Sequence, residues 1–242
     1  MALPRAVLFD VFGTLVDWRS SVAGGLAAFG AARGIEAPWS EMADAWRRAY
    51  QPSMDRVRRR AIPWTILDDL HRDSLVDIAR RFDVGPLADA DCDHLVRLWH
   101  RLAPWPDVVA GLTALKRHCI IGPLSNGHVA LQVALARRNG FPWDVVFGAD
   151  IFRHYKPDAE VYLGACDYLG LEPAEVMLAA CHNADLAAAE SCGLQTGFIS
   201  RPQEHGPATG DRAAPSSEWT ILADSVVDLA EQLQEAAVAR PS

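Results

Sequence analysis

Four short polar clusters punctuate an otherwise apolar chain: Asp10 with Thr14, Ser125-Asn126-Gly127, Lys156-Pro157, and His182-Asn183-Ala184-Asp185. Singly, each has an ordinary reading as a turn acid, a helix cap, a surface lysine or a helix N-terminal acid. Their shared position argues otherwise. Ala6-Val7-Leu8-Phe9 is an apolar run of the kind that forms a strand buried on both faces of a parallel sheet. Asp10 closes that run, and ligands of open α/β sheets bind outside the carboxyl ends of strands. The other clusters fall at the same inferred edge. Two residues after Asp10 stands Phe12, which can neither give nor take a proton.

Positioning these clusters requires a sheet, and the chain alternates strand and helix signals to build one. After Cys119-Ile120-Ile121 comes a helix over about 128–138. A strand follows at Val145-Val146-Phe147, then a helix opened by Pro157 and running to about Leu169. Further strands are expected at Val176–Ala179, Thr196–Ile199 and Thr220–Leu222, with a Pro/Gly/Ser-rich loop over 202–217 and a last helix from about Ser225. This alternation predicts an α/β fold, a parallel sheet with helices on both faces. Between about Ser20 and Leu102 the periodicity is helical, as at Trp46, Tyr50, Met54 and Val57, with Pro38, Pro52, Pro63 and Gly85-Pro86 as punctuation. The expected organisation is therefore a core of residues 1–17 plus 103–242 and an inserted helical segment, 18–102, with the linker 102–107 leading back to the core.

Half of the 242 residues are hydrophobic, and 23 basic against 31 acidic residues give a net charge of −8, which argues against a nucleic-acid surface. The basic run Arg56–Arg60 reads as a solvated helix face. Five cysteines fit no zinc spacing, and Cys181 and Cys192 read as small core residues. With no leader-like start and no apolar run of bilayer length, the expectation is a reduced, cytoplasmic protein without membrane or nucleic-acid partners.

The order and combination of the four clusters resemble the haloacid dehalogenase superfamily. Within it, Asp10-Val11-Phe12-Gly13-Thr14-Leu15-Val16-Asp17-Trp18 is similar to the type II, or L-2-haloacid, dehalogenases. So are Trp46-Arg47, Ser125-Asn126-Gly127, Lys156-Pro157 with Tyr162, and Ala179-Ala180-Cys181-His182-Asn183-Ala184-Asp185-Leu186. The resemblance implies a doubly wound (Rossmann-like) parallel sheet with a helical cap, a homodimer, and hydrolysis of small anionic 2-haloacids with inversion at carbon. Asp10 is then the nucleophile, with Thr14 and Lys156 orienting it and Asp185 activating the water that hydrolyses an aspartyl ester. Arg47 and Asn126 receive the halide, Ser125 holds the substrate carboxylate, and Tyr162 matches a tyrosine near the site. Val11, Phe12 and Trp18 line the substrate pocket.

The chemistry agrees with that subfamily. A halide leaves without a proton, whereas the alkoxide released by the superfamily's phosphatases needs an acid two residues after the nucleophile. The terminal loop offers Asp185 among neutral neighbours, so no metal or other cofactor is expected, and Lys156 takes the cation's place. His182 and Ala180 depart from the commoner loop. His182 is read either as a buried structural histidine or as part of the network serving the water. The Ala-Ala-His pattern with Asp17-Trp18-Arg19 resembles members that accept fluoroacetate. The competing readings are a Mg²⁺-dependent phosphatase of the same superfamily and a ligand-binding protein that has kept the fold.

Overall fold

Ala6–Phe9 forms strand β1, fully buried along its length, in a computed structural model that describes residues 3–206 and 214–238. The chain divides into two compact units, one built from 1–16 and 104–242 and the other from 17–103. It passes between them at two short strands, β2 (Val16–Asp17) and β3 (Ala103–Pro104).

In the first unit, β1 lies between β4 (Ile120–Ser125) and β6 (Val176–Ala180). The sheet is completed by β5 (Phe147–Gly148) beside β4, and by β7 (Gln195–Ile199) and β8 (Ile221–Ala223) beyond β6. Every pairing is parallel, and β1 sets Phe9 opposite both Pro123 and Ala179. The strand order therefore reverses at β1, which places the crevice of an open α/β sheet at its carboxyl end, directly before Asp10.

Strand alternation divides the core between two faces. Ala6, Leu8, Leu178 and Ala180 share a cluster with Val161 and Ala165 of one helix, α8 (Ala159–Leu169), and with Leu186 and Ala189 of another, α9 (Asn183–Ser191). On the opposite face Gly197 of β7 meets Met177 and Leu229, the latter from α10 (Val226–Val238). There α10 packs on α5 (Val108–Leu115), whose Gly111 leaves room for the Val226 backbone.

The second unit consists of α1 (Trp18–Ala31), α2 (Trp39–Arg58), α3 (Leu67–Arg81) and α4 (Asp89–Val96). Asp17 caps α1 by accepting from the Ser20 N–H at 3.0 Å. Trp99 is the centre of its core. It stacks on Trp18 (ring centroids 6.4 Å) and on His71 (4.4 Å), and meets Trp46 edge-on.

Several boundaries differ from the sequence expectation. Pro52 lies inside α2 and does not end it, because the buried Trp46 and Met54 on either side hold one continuous apolar face. Helix α8 starts at Ala159, after the Asp158 cap, and Pro157 precedes it. Val145 and Val146 lie outside β5, so their β-branched side chains marked a strand that is shorter and later. The expected linker through 107 ends sooner: β3 is followed directly by the turn into α5, with Asp107 as its cap. Part of the loop expected over 202–217, residues 207–213, lies outside the described residues.

Candidate active site

Asp10 follows β1 and extends its ladder, its N–H bonding to Ala179 O at 3.0 Å. The next four residues turn back sharply, with Leu15 and Val16 both donating to Val11 O and Gly13 at φ +90°, a conformation that favours glycine. Three successive carbonyls of this turn are then pinned from outside. Trp105 Nε1 donates to Gly13 O at 2.8 Å, Arg201 Nε to Thr14 O at 2.8 Å, and the Trp105 N–H to Leu15 O at 3.0 Å. Arg201 is itself clamped in a two-pronged pair with Asp107 at 2.8 and 2.9 Å, and Asp107 also accepts from the Val226 N–H. Trp105 and Arg201 are thus part of the scaffold that holds the loop carrying Asp10 and Thr14.

Four donors converge on the two carboxylates. Lys156 Nζ donates to Asp10 Oδ1 at 3.1 Å and to Asp185 Oδ2. Thr14 Oγ1 donates to Asp10 Oδ2 at 2.8 Å, and His182 Nδ1 lies 3.0 Å from the same oxygen. Tyr162 Oη donates to Asp185 Oδ1 at 2.6 Å. Asn126 Oδ1 accepts from the Lys156 N–H at 2.7 Å, which fixes the lysine backbone and turns the Asn126 amide nitrogen away from it. Ser125 Oγ accepts from the Gly127 N–H at 3.1 Å, shaping the loop after β4. Phe12 is buried beside Gly127.

These contacts set the charge states. Burial alone raises the Asp10 carboxyl, but the Lys156 ammonium and the bonds from His182 and Thr14 reverse that and hold it well below the usual carboxylate range. Burial lowers Lys156, and the two carboxylates more than restore it, keeping the ammonium charged. Burial also lowers His182, an effect outweighed by Cys181, Asp10 and Glu204, so its ring stays protonated well above its ordinary value. Burial and the Asp185 charge push the Tyr162 phenol up, which leaves it a hydrogen donor.

Of the expected site residues, Asp10, Thr14, Lys156, Asp185, Tyr162 and His182 form this one bonded cluster, and Ser125, Asn126, Val11 and Phe12 build the loops around it. Arg47 and Trp18 belong to the second unit. There the Arg47 guanidinium lies 4.3 Å from the Tyr50 ring centre and 5.5 Å from that of Trp18. Its buried Nη1 has no hydrogen-bond partner among the described residues.

Two members were not legible from sequence. Glu204, in the turn after β7, places its carboxylate 3.1–3.2 Å from His182 Nε2 and directly over Gly13, where an added Cβ would meet Oε1 at 2.2 Å. Cys181, expected as a core residue, is buried but also bonded into the site: its N–H donates to Thr14 Oγ1 at 3.0 Å and its Sγ faces His182 and Glu204. No motif announces Glu204, since only the reach of the loop brings it to the histidine. Gln132 Nε2, buried beside Gly127, has no partner among the described residues.

A buried carboxylate after the first strand, a lysine bridging it to a second carboxylate, and a separate helical unit inserted after residue 16 together mark a class of hydrolase. The model of the haloacid dehalogenase-like hydrolase family matches residues 4–193, and the chain belongs to that family. It is 30% identical over 237 residues to the (S)-2-haloacid dehalogenase 4A of Burkholderia cepacia, covering 93% of this chain and 98% of that protein. Among solved structures, a defluorinating L-2-haloacid dehalogenase superposes with a TM-score of 0.92 at 49% identity, over 96% of this chain and 95% of that one. A second L-2-haloacid dehalogenase superposes with the same TM-score at 48% identity, over 96% of this chain and 99% of that one.

Proposed function

We propose that this protein hydrolyses the carbon–halogen bond of short 2-haloacids. Asp10 displaces halide from the α-carbon, forming an aspartyl ester, and water activated by Asp185 then attacks the ester carbonyl, returning the carboxylate and a 2-hydroxy acid. The observation that carries this reading is the surrounding of Asp10: a buried, ionised carboxylate held by Lys156, Thr14 and His182, with Phe12 where a proton donor would stand. Whichever Asp10 oxygen remains as the ester carbonyl keeps its own donors, Lys156 on Oδ1 or Thr14 and His182 on Oδ2, and these stabilise the oxyanion that forms when water adds to the ester. Tyr162 and Lys156 hold Asp185, the base for that step.

Metal independence is part of the proposal. Magnesium demands several oxygen ligands in near-octahedral geometry. All four oxygens of Asp10 and Asp185 already accept from protein donors, and the Lys156 cation lies between the two groups. These residues do not fit a magnesium ion, and no step runs through one. The phosphatase reading also needs an acid that Phe12 does not supply.

Arg47 keeps the role the resemblance implies, receiving the departing halide, and its unpartnered Nη1 supports that role. Ser125, Asn126, Val11, Phe12 and Trp18 are proposed to contact the substrate. We propose fluoroacetate as one substrate on the likeness to the defluorinating enzyme, and a cytoplasmic homodimer on the family resemblance. No described helix is long and apolar enough to cross a membrane.

A halide-release screen over short 2-haloacids of both configurations, without added metal, tests the activity. Single turnover in ¹⁸O-water tests the route: label enters the Asp10 side chain if the ester forms, and label confined to the product acid refutes it. Chloride release from chloroacetate without fluoride release from fluoroacetate removes the defluorination claim alone.

A further inference from the structure

Behind Asp10, the loop after β6 and the turn after β7 bring together three chemically different ligand atoms: Cys181 Sγ, His182 Nε2 and the Glu204 carboxylate. Sγ lies 3.6 Å from Nε2 and 3.6 Å from Glu204 Oε2, while Nε2 lies 3.1 Å from Oε1 and 3.2 Å from Oε2. Tetrahedral zinc, with bonds of about 2.3 Å to sulfur and about 2.0–2.1 Å to nitrogen and oxygen, spaces such ligands about 3.5 Å apart for sulfur pairs and about 3.3 Å for the nitrogen–oxygen pair. All the measured separations fall within a few tenths of an ångström of these values. We propose that Cys181, His182 and Glu204 form a zinc-binding site through which the metal inhibits the enzyme.

The donor set supports a borderline transition metal. Sulfur and imidazole ligands select zinc or its neighbours over magnesium and calcium, which prefer oxygen alone. His182 turns its other nitrogen, Nδ1, to Asp10 at 3.0 Å, reproducing the carboxylate–histidine–metal arrangement in which a carboxylate orients the ligating ring. The next residue, His205, has Nε2 3.4 Å from Glu204 Oε2, near enough to supply a fourth ligand by side-chain rotation; a water is the alternative. Cys181 and Glu204 are buried, whereas the His182 and His205 side chains are about one-third exposed, so an ion enters past the two rings.

Binding replaces the thiol S–H with a zinc–thiolate bond and the His182 Nε2–H with a zinc–nitrogen bond, and both protons pass to solvent. The His182 ring becomes neutral, with its Nδ1 proton still on Asp10 and its Nε2 committed to the ion. The ring is thereby fixed by the ion and can no longer adjust to Asp10 as the ester forms and is hydrolysed, so turnover falls. Only this inhibitory consequence rests on the dehalogenase reading.

The full-length protein, freed of metal with EDTA, is titrated with Co²⁺ as a spectroscopic probe and then with Zn²⁺. One cobalt per chain is expected, with a thiolate-to-cobalt charge-transfer band that zinc bleaches. Halide release falls over the same zinc range and returns with EDTA. In Cys181→Ala and in the closer isostere Cys181→Ser, the band disappears, and zinc affinity falls by about a hundredfold or more, since loss of an outer-shell partner alone costs about 10–100-fold. Rates with and without zinc are compared within each variant. Absence of a band, or a band that survives both substitutions, overturns the site. A band without any effect of zinc on turnover overturns the inhibition. The spectroscopic result needs no substrate, so it stands or falls apart from the activity.

Discussion

Tyr162→Phe tests the division of labour between the two carboxylates. The substitution removes one hydroxyl whose Oη donates to Asp185 Oδ1 at 2.6 Å and alters no donor to Asp10. A hydrogen bond to a charged acceptor is worth about 1.5–3 kcal/mol, or about 10- to 150-fold in rate if wholly lost in the transition state. Lys156 still holds the other Asp185 oxygen, so the lower end applies and ester hydrolysis slows about tenfold. Alkylation of Asp10 keeps its rate. Rapid-mixing experiments with a short 2-chloroacid should then show a burst of one chloride per site followed by a slow steady state, with the ester visible as an added mass on the intact protein. Equal slowing of the first chloride and no accumulated ester would show that Asp185 serves the displacement instead, and the assignment of roles would be wrong.

Gly13→Ala forces a side chain into φ +90° and against Glu204 Oε1, 2.2 Å from the new Cβ, so we expect a loss of about 1–3 kcal/mol in denaturant titration together with reduced turnover; an unchanged midpoint would refute the tight turn. Asp107→Asn breaks the clamp on Arg201. Burial raises Asp107, but the Arg201 bonds and charge and the Val226 N–H outweigh it and lower its carboxyl. A depressed folded value contributes stability that is present above the unfolded value of about 3.9 and lost as pH falls through the folded one. The deficit of the variant, about 1–3 kcal/mol at neutral pH, should therefore shrink in urea titrations at about pH 3. A deficit independent of pH would assign the effect to packing. Arg47→Gln removes a charged donor and is expected to lower kcat/KM for chloroacids about a hundredfold with little change in thermal midpoint. Retained catalysis would leave Arg47 as a surface residue of α2.

The legible part of this chain was the part encoded locally. Ala6–Phe9 and Val176–Ala180 are short apolar runs followed by polar residues, and such runs cannot be solvated, so the central strands and the residues at their ends could be read directly. The same logic brought Asp10, Lys156 and Asp185 to one edge. Glu204 gave no such signal, because its role depends on how the turn after β7 folds back over Gly13, a long-range outcome that no spacing records. Trp105 and Arg201 were opaque for a related reason: their donors reach backbone carbonyls, which carry no side-chain identity. Cys181 shows the opposite limit. Its burial was expected, but its apolar neighbours hid two polar ones. At Pro52 a local rule lost to packing on either side of it.

Every group in the charged cluster, from Asp10 to Glu204, is contributed by the first unit, and each bond described for it runs between residues of that unit. Substitution or exchange confined to the inserted helices therefore leaves the bonds on both carboxylates in place, and what such a change puts at risk is the halide contact proposed for Arg47.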